Sequence, residues 1–161
     1  MSQSMIRTAV SVRQLVLHQI QSIPEDLFDK QPPQFANTIR WNVGHIAVGL
    51  DYFLSLGLPV SSSSPDHFAA FFQSGTKPSD WTATPPSKEE LVQCLSAQLA
   101  NLSELPPALL EHNLESPIEM GPLRFETAGE VFNFAFIHET MHFSTITSLL
   151  KVLQYENEKG K

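Results

Sequence analysis

The chain has 161 residues, 42% hydrophobic and 17% charged, a balance that excludes a disordered chain and predicts one domain, residues 1–161, with a core of its own. A formal net charge of −7 argues against a nucleic-acid backbone or an anionic membrane surface as partner. The lone Cys94 excludes an internal disulfide, no apolar run approaches the roughly 20 residues of a membrane span, and residues 1–10 lack an apolar signal region, so the expectation is a cytoplasmic protein.

The first predicted helix runs from about Gln3 to Ser22, with Ile6, Val10, Leu17 and Ile20 at helical spacing, and stops before Pro24. After Pro32-Pro33, Asn37 or Thr38 caps a second helix that reaches about Leu56 and ends at Gly57 and Pro59. Its apolar stripe is Ile39, Val43, Ile46, Leu50 and Phe53; Arg40, Asp51 and Ser55 share the polar arc, and His45 borders the stripe. Residues 57–86 form a long connection with a short amphipathic turn near Asp66–Gln73. Phe68, Phe71, Phe72 and Trp81 anchor it, which suits a lid or pocket wall.

Ser87 and Glu90 form a capping box that opens a third helix, with Leu91, Leu95, Gln98-Leu99 and Leu102 as its stripe up to Pro106-Pro107. Cys94 lies on that stripe and reads as a small core residue rather than a nucleophile. Residues 111–126, broken by Pro117, Gly121 and Pro122, read as a loop. A second capping box, Thr127 with Glu130, opens a fourth helix that runs to about Tyr155. With no useful β alternation and no repeat, the predicted fold is all-α, a four-helix bundle.

His138-Glu139-Thr140-Met141-His142 is the segment richest in chemistry. Residues at i and i+4 stand one turn apart on a helix face, so both imidazoles can grip one metal ion. They fall on a stripe predicted as buried, with Val131, Phe134-Ala135, Met141, Ile146, Leu149 and Leu153. The H-E-x-x-H string is that of zinc proteases, but the third ligand of that class is missing. Thr145 and Ser148 stand where its extended form needs Gly and His, and Glu156 and Glu158 lie at the end of the same helix. Of the other histidines, His18, His67 and His112 sit in polar or loop surroundings. Only His45 lies mid-helix among apolar residues, with Trp41 one turn before it and Gly49 one turn after, where a glycine leaves space beside a metal.

Trp41-Asn42-Val43-Gly44-His45-Ile46, followed near the C-terminal end by His138-x-x-x-His142, resembles the DinB-like superfamily of damage-inducible-type four-helix-bundle metalloproteins. The resemblance covers essentially the whole chain. It implies an up-down-down-up bundle, a homodimer, and His45, His138 and His142 as ligands of Zn²⁺, Ni²⁺ or a similar divalent ion. Many relatives continue the last histidine as H-x-G-Q, whereas this chain reads His142-Phe143-Ser144-Thr145, which predicts an altered pocket floor. The resemblance also implies a substrate class, since several relatives are transferases or isomerases that use low-molecular-weight thiols.

Three histidines leave a coordination position open, as in catalytic sites. Trp41, Tyr52, Phe134 and Met141 are expected to wall the pocket. Glu139 is expected to orient an imidazole or shuttle a proton, or else to be a solvated surface carboxylate. The leading functional expectation is a metal-dependent thiol S-transferase acting on a small molecule. A metal-dependent hydrolase and a non-catalytic metal- or small-molecule-binding dimer are the alternatives.

Overall fold

In the computed structural model, which describes residues 1–159, five helices and one hairpin carry the chain. They are α1 (Ser2–Ser22), α2 (Ile39–Gly57), the short α3 (Phe68–Phe72), α4 (Lys88–Ser103), β1 (Asn113–Met120), β2 (Leu123–Thr127) and α5 (Ala128–Lys159). Helix α2 packs along α5 and α1 along α4, while contacts of α1 with α5 and of α2 with α4 close a ring of four long helices. None of the described helices is long and apolar enough to cross a membrane.

Local chemistry sets the ends of these helices. The Thr38 hydroxyl accepts from the Trp41 amide at 3.2 Å and caps α2. The Ser87 amide donates to the Glu90 carboxylate at 2.7 Å and the Glu90 amide to Ser87 Oγ at 3.2 Å, closing the capping box of α4. Thr127 and Glu130 exchange the same pair of bonds at the start of α5. Arg40, placed by periodicity on a polar arc, is buried. Its guanidinium grips both oxygens of Asp29 and donates to the Pro86 carbonyl, tying two connections to α2.

Residues 111–126 are not a loop. β1 and β2 pair antiparallel, with Ile118 opposite Phe125 and Met120 opposite Leu123, around a two-residue turn whose Gly121 has φ +56°. Glycine first in such a turn is the type II′ pattern. The alternation is hard to read because the ribbon is mostly exposed and Pro117 sits at a register shift, so that among its apolar residues Leu114, Ile118, Met120 and Phe125 turn inward.

Along α1, α4 and α5 a seam of buried positions steps by three and four residues. In α1 the seam is Ser2, Ile6, Ala9, Arg13, Val16 and Ile20, with Leu17 buried beside it; in α4 it is Leu91, Leu95, Gln98 and Leu102, with Cys94 buried beside it. In α5 the seam runs through Phe132, Ala135, Glu139, Ile146, Leu149 and Leu153, with half-buried His142 in phase and Val131, Phe136 and Leu150 buried beside it. The seams therefore carry three polar side chains at one level of the bundle. Arg13 Nε and Nη2 donate to the two Glu139 carboxylate oxygens at 2.9 and 2.8 Å, and Nη1 donates to Gln98 Oε1 at 2.7 Å. Gln98 Nε2 in turn donates to the Ala47 carbonyl and to Asp51 Oδ1, both at 2.8 Å. Every member of this network is paired, which is the condition for polar groups to be tolerated in a core.

Candidate metal centre

The N-terminal half of α2 is built for close approach. A Cβ added at Gly44 would run into the Phe72 ring, and one at Gly49 would stand 2.9 Å from Cε1 of His138. Two glycines around His45 thus let α3 settle on one side of α2 and the His138 ring on the other. Trp41, one turn before His45, stacks on its imidazole with centroids 4.5 Å apart and planes 12° from parallel. The indole N–H is held by Thr76 Oγ1 at 2.9 Å, so the connection 57–86 steadies that ring as well.

His45, His138 and His142 each offer a ring nitrogen, and these atoms all lie within 4.8 Å of one another. Two of the three tautomers follow from hydrogen bonding. His45 Nδ1–H donates to the Phe72 carbonyl at 2.6 Å, leaving its Nε2 with a bare lone pair. The Asn42 amide nitrogen donates to the Thr38 carbonyl at 2.8 Å, which leaves Asn42 Oδ1 to accept from His142 Nδ1–H at 2.9 Å. His142 therefore also keeps its Nε2 lone pair. His45 Nε2 and His138 Nε2 face each other at 3.2 Å. Ligand nitrogens about 2.0–2.1 Å from a tetrahedral zinc stand about 3.3 Å apart, so this spacing fits an ion held between them. The donor set and its outer hydrogen bonds have the chemistry of a transition-metal site.

Burial lowers the pKa of all three imidazoles. It outweighs the Phe72 carbonyl at His45; at His138, burial and then His45 bring the value to about 4. At His142, burial and then His45 and His138 bring it to about 3. The site is neutral at physiological pH, as metal ligands must be. Below the ordinary 6.5 the unfolded chain takes up protons that the folded metal-free chain does not. The stability contributed by these groups is thus complete above about pH 6.5 and lost as pH falls toward 4 and 3. Thermal melts of chelator-treated protein should show Tm falling from pH 6.5 to 4.5, and a His138→Asn/His142→Asn double variant should show a shallower fall. Parallel curves for the two proteins would refute the assignment.

A cavity of about 580 Å³ opens beside the triad, with His45 and His138 in its wall. Val48, Gly49, Tyr52 and Phe53 from α2 line one side, Ala69, Gln73 and Ser74 of the connection another, and Met120 of the hairpin a third.

The model of the DinB superfamily matches residues 9–146 of this sequence. The chain belongs to the DinB superfamily. No curated protein matches it.

In this DinB chain the structure places the expected site residues unevenly. Trp41 covers His45 from behind, and Tyr52, half exposed, stands at the cavity mouth. Phe134 does not line the cavity: it packs edge-on against Phe53, whose ring in turn meets His138. Met141 points outward, 61% exposed, because the buried face of α5 runs through Glu139 rather than Met141. Glu139 is not a solvated surface carboxylate. It is buried, both oxygens engaged by Arg13 of α1, and it is not among the atoms that converge with the triad. His18, His67 and His112 are exposed.

Phe143 packs against the core and Thr145 bonds back to the Met141 carbonyl, and neither they nor Ser144 lines the cavity. The expected change of pocket floor therefore does not arise there. Cys94 is buried, its thiol pushed up to about 11 by burial, so it stays protonated in the core.

Three functional groups escape motif reading: Asn42, the Phe72 carbonyl and Met120. Asn42 lies inside the Trp41–His45 segment and could have been noticed as a buried amide three residues before a ligand. A backbone carbonyl leaves no mark in a sequence. Gly49 yields a test: Gly49→Ala should lower metal affinity about tenfold or more by displacing His138. Because alanine favours the helix by up to about 1 kcal/mol, thermal stability should hold or rise. Metal affinity by competition with a chromophoric chelator checks it, and unchanged affinity would show that His138 is not seated against α2.

Proposed function

We propose that this DinB-superfamily protein holds a divalent ion, zinc or nickel, on His45, His138 and His142 and acts as a metal-dependent S-transferase using a low-molecular-weight thiol. The observation that carries the reading is the convergence of three imidazoles, two with tautomers set by the chain, at the wall of an open cavity. Three protein ligands leave a position for a small molecule, the arrangement of catalytic rather than structural sites. A bound divalent ion would lower the pKa of a coordinated thiol or water enough to supply a nucleophile near neutral pH.

The chain's own residues do the rest. Phe72 and Asn42 hold the rings of His45 and His142 in place, Trp41 shields the back of His45, and the apolar walls exclude water from the second reactant. No carboxylate lines the cavity to serve as a general base, which favours a thiol, acidic in itself, over activation of water. The open cavity weighs against a purely non-catalytic role. The reading includes a single domain with up-down-down-up helix order, a homodimer and a cytoplasmic location, consistent with the family and with the lone buried cysteine.

The test is consumption of free thiol by metal-loaded protein offered a small electrophile, abolished by chelation and restored by metal. No consumption with any cellular thiol would defeat the transferase reading. Turnover of esters or amides without thiol would favour the hydrolase.

A further inference from the structure

The cavity beside the triad has an unusual charge pattern for a site meant to meet metabolites. Among the described residues, its only polar side chains apart from the two histidines are Tyr52, Gln73 and Ser74, and no Asp, Glu, Lys or Arg lines it. A second depression of about 310 Å³ shares Val48, Tyr52 and Ala69 as a common wall, and its charged residues are Asp51 and Asp66. Asp51 is already saturated. Its Oδ2 accepts from Ser62 Oγ, from the Ser63 and Ser64 amides and from Ser64 Oγ, and its Oδ1 accepts from Gln98. It contributes negative potential without a free site for a cation. Among the described residues, then, every charged side chain in these two adjoining depressions is acidic, on a chain of net charge −7.

A carboxylate or phosphate on the part of a ligand that points away from the triad would lose its hydration there, meet no basic side chain and lie near the Asp51 and Asp66 charges, all of which oppose binding. A neutral body would meet Val48, Phe53, Ala69 and Met120, with Gln73 and Ser74 within the wall for a hydroxyl or amide. The volume is that of ordinary small-molecule sites, about 300–1,000 Å³.

We infer that this cavity selects a ligand that presents its donor group to the triad on a neutral, mainly apolar body, and that it rejects ligands whose body carries an anionic group. The inference rests on the metal-site reading above and narrows its substrate class: the body of the thiol or of its acceptor is uncharged, not of the acidic peptide type.

Two matched pairs of ligands test it on the cobalt-loaded protein, read by visible absorption. One pair is benzohydroxamic acid and its para-carboxy derivative, which need no thiol chemistry; the other is phenylmethanethiol and its para-carboxy derivative. The neutral member should bind about tenfold or more tightly in each pair, and neither should bind His45→Ala protein. Gln73→Arg should narrow the gap several-fold by supplying the missing cation.

Equal or tighter binding of the carboxylated hydroxamate, no response to either hydroxamate, or a gap unmoved by Gln73→Arg in folded protein would each overturn the inference. If the hydroxamates discriminate and neither thiol binds, the selectivity stands and the thiol reading falls. If both thiols bind equally, the selectivity falls and the thiol reading stands. A protein that takes up no cobalt would remove both.

Discussion

Replacing His45 by alanine is expected to bring bound metal from stoichiometric to background while leaving a folded, helical protein. His45 is the only ligand contributed by α2, and without it the ion would rest on two imidazoles of α5 alone. Structural zinc is held by about 10–16 kcal/mol in small peptides, or roughly 3–4 kcal/mol per ligand. One ligand thus corresponds to about two to three orders of magnitude in affinity. The fold should survive because the cost is local: the Phe72 carbonyl loses its donor, on the order of 1–3 kcal/mol. Elemental analysis of freshly purified protein, with far-ultraviolet circular dichroism as the fold control, decides it. Unchanged metal content would remove His45 from the centre.

The second large effect is on stability and leaves the metal ligands untouched. Arg13→Met or Glu139→Gln each leaves half of a fully buried ion pair without its partner, and such losses cost about 3–5 kcal/mol. For a chain of this size that is a fall in Tm of roughly 10 °C. The double replacement Arg13→Met/Glu139→Leu should recover most of the loss, because an apolar pair leaves no uncompensated charge, although Gln98 then gives up one hydrogen bond. Thermal melts of the two single variants and the double variant, forming a double-mutant cycle, test this. Additive losses would mean that the pair is not coupled as the geometry requires. A loss of metal in folded Glu139→Gln protein would return Glu139 to the site.

The residues that define helix ends were legible because the information is local. Thr38 caps within three residues, and Ser87 with Glu90 and Thr127 with Glu130 close rings of the same size. The pairing of His138 with His142 is equally local, one helical turn, and the Trp41–His45 segment needs only α2. The hairpin of residues 113–127 was obscured by its exposure and by Pro117, although Gly121-Pro122 between two short runs is a turn signal of the right length.

What sequence alone made legible about this protein is the long helices, set by capping and apolar stripes, the pairing of His138 with His142, set by one helical turn, and the family, through the resemblance of the Trp41–Ile46 and His138–His142 motifs. What only the tertiary structure decided is where the remaining groups point. A helix carries its stripe in sequence, but its rotation is fixed by its neighbours, and a shift of one position moves every side chain by about 100°. That rotation sends Met141 to solvent and brings Glu139 to Arg13, 126 residues away along the chain. It also seats His45 on a backbone carbonyl and opens beside it a cavity that no described basic side chain lines. These are long-range facts, and no local pattern encodes them.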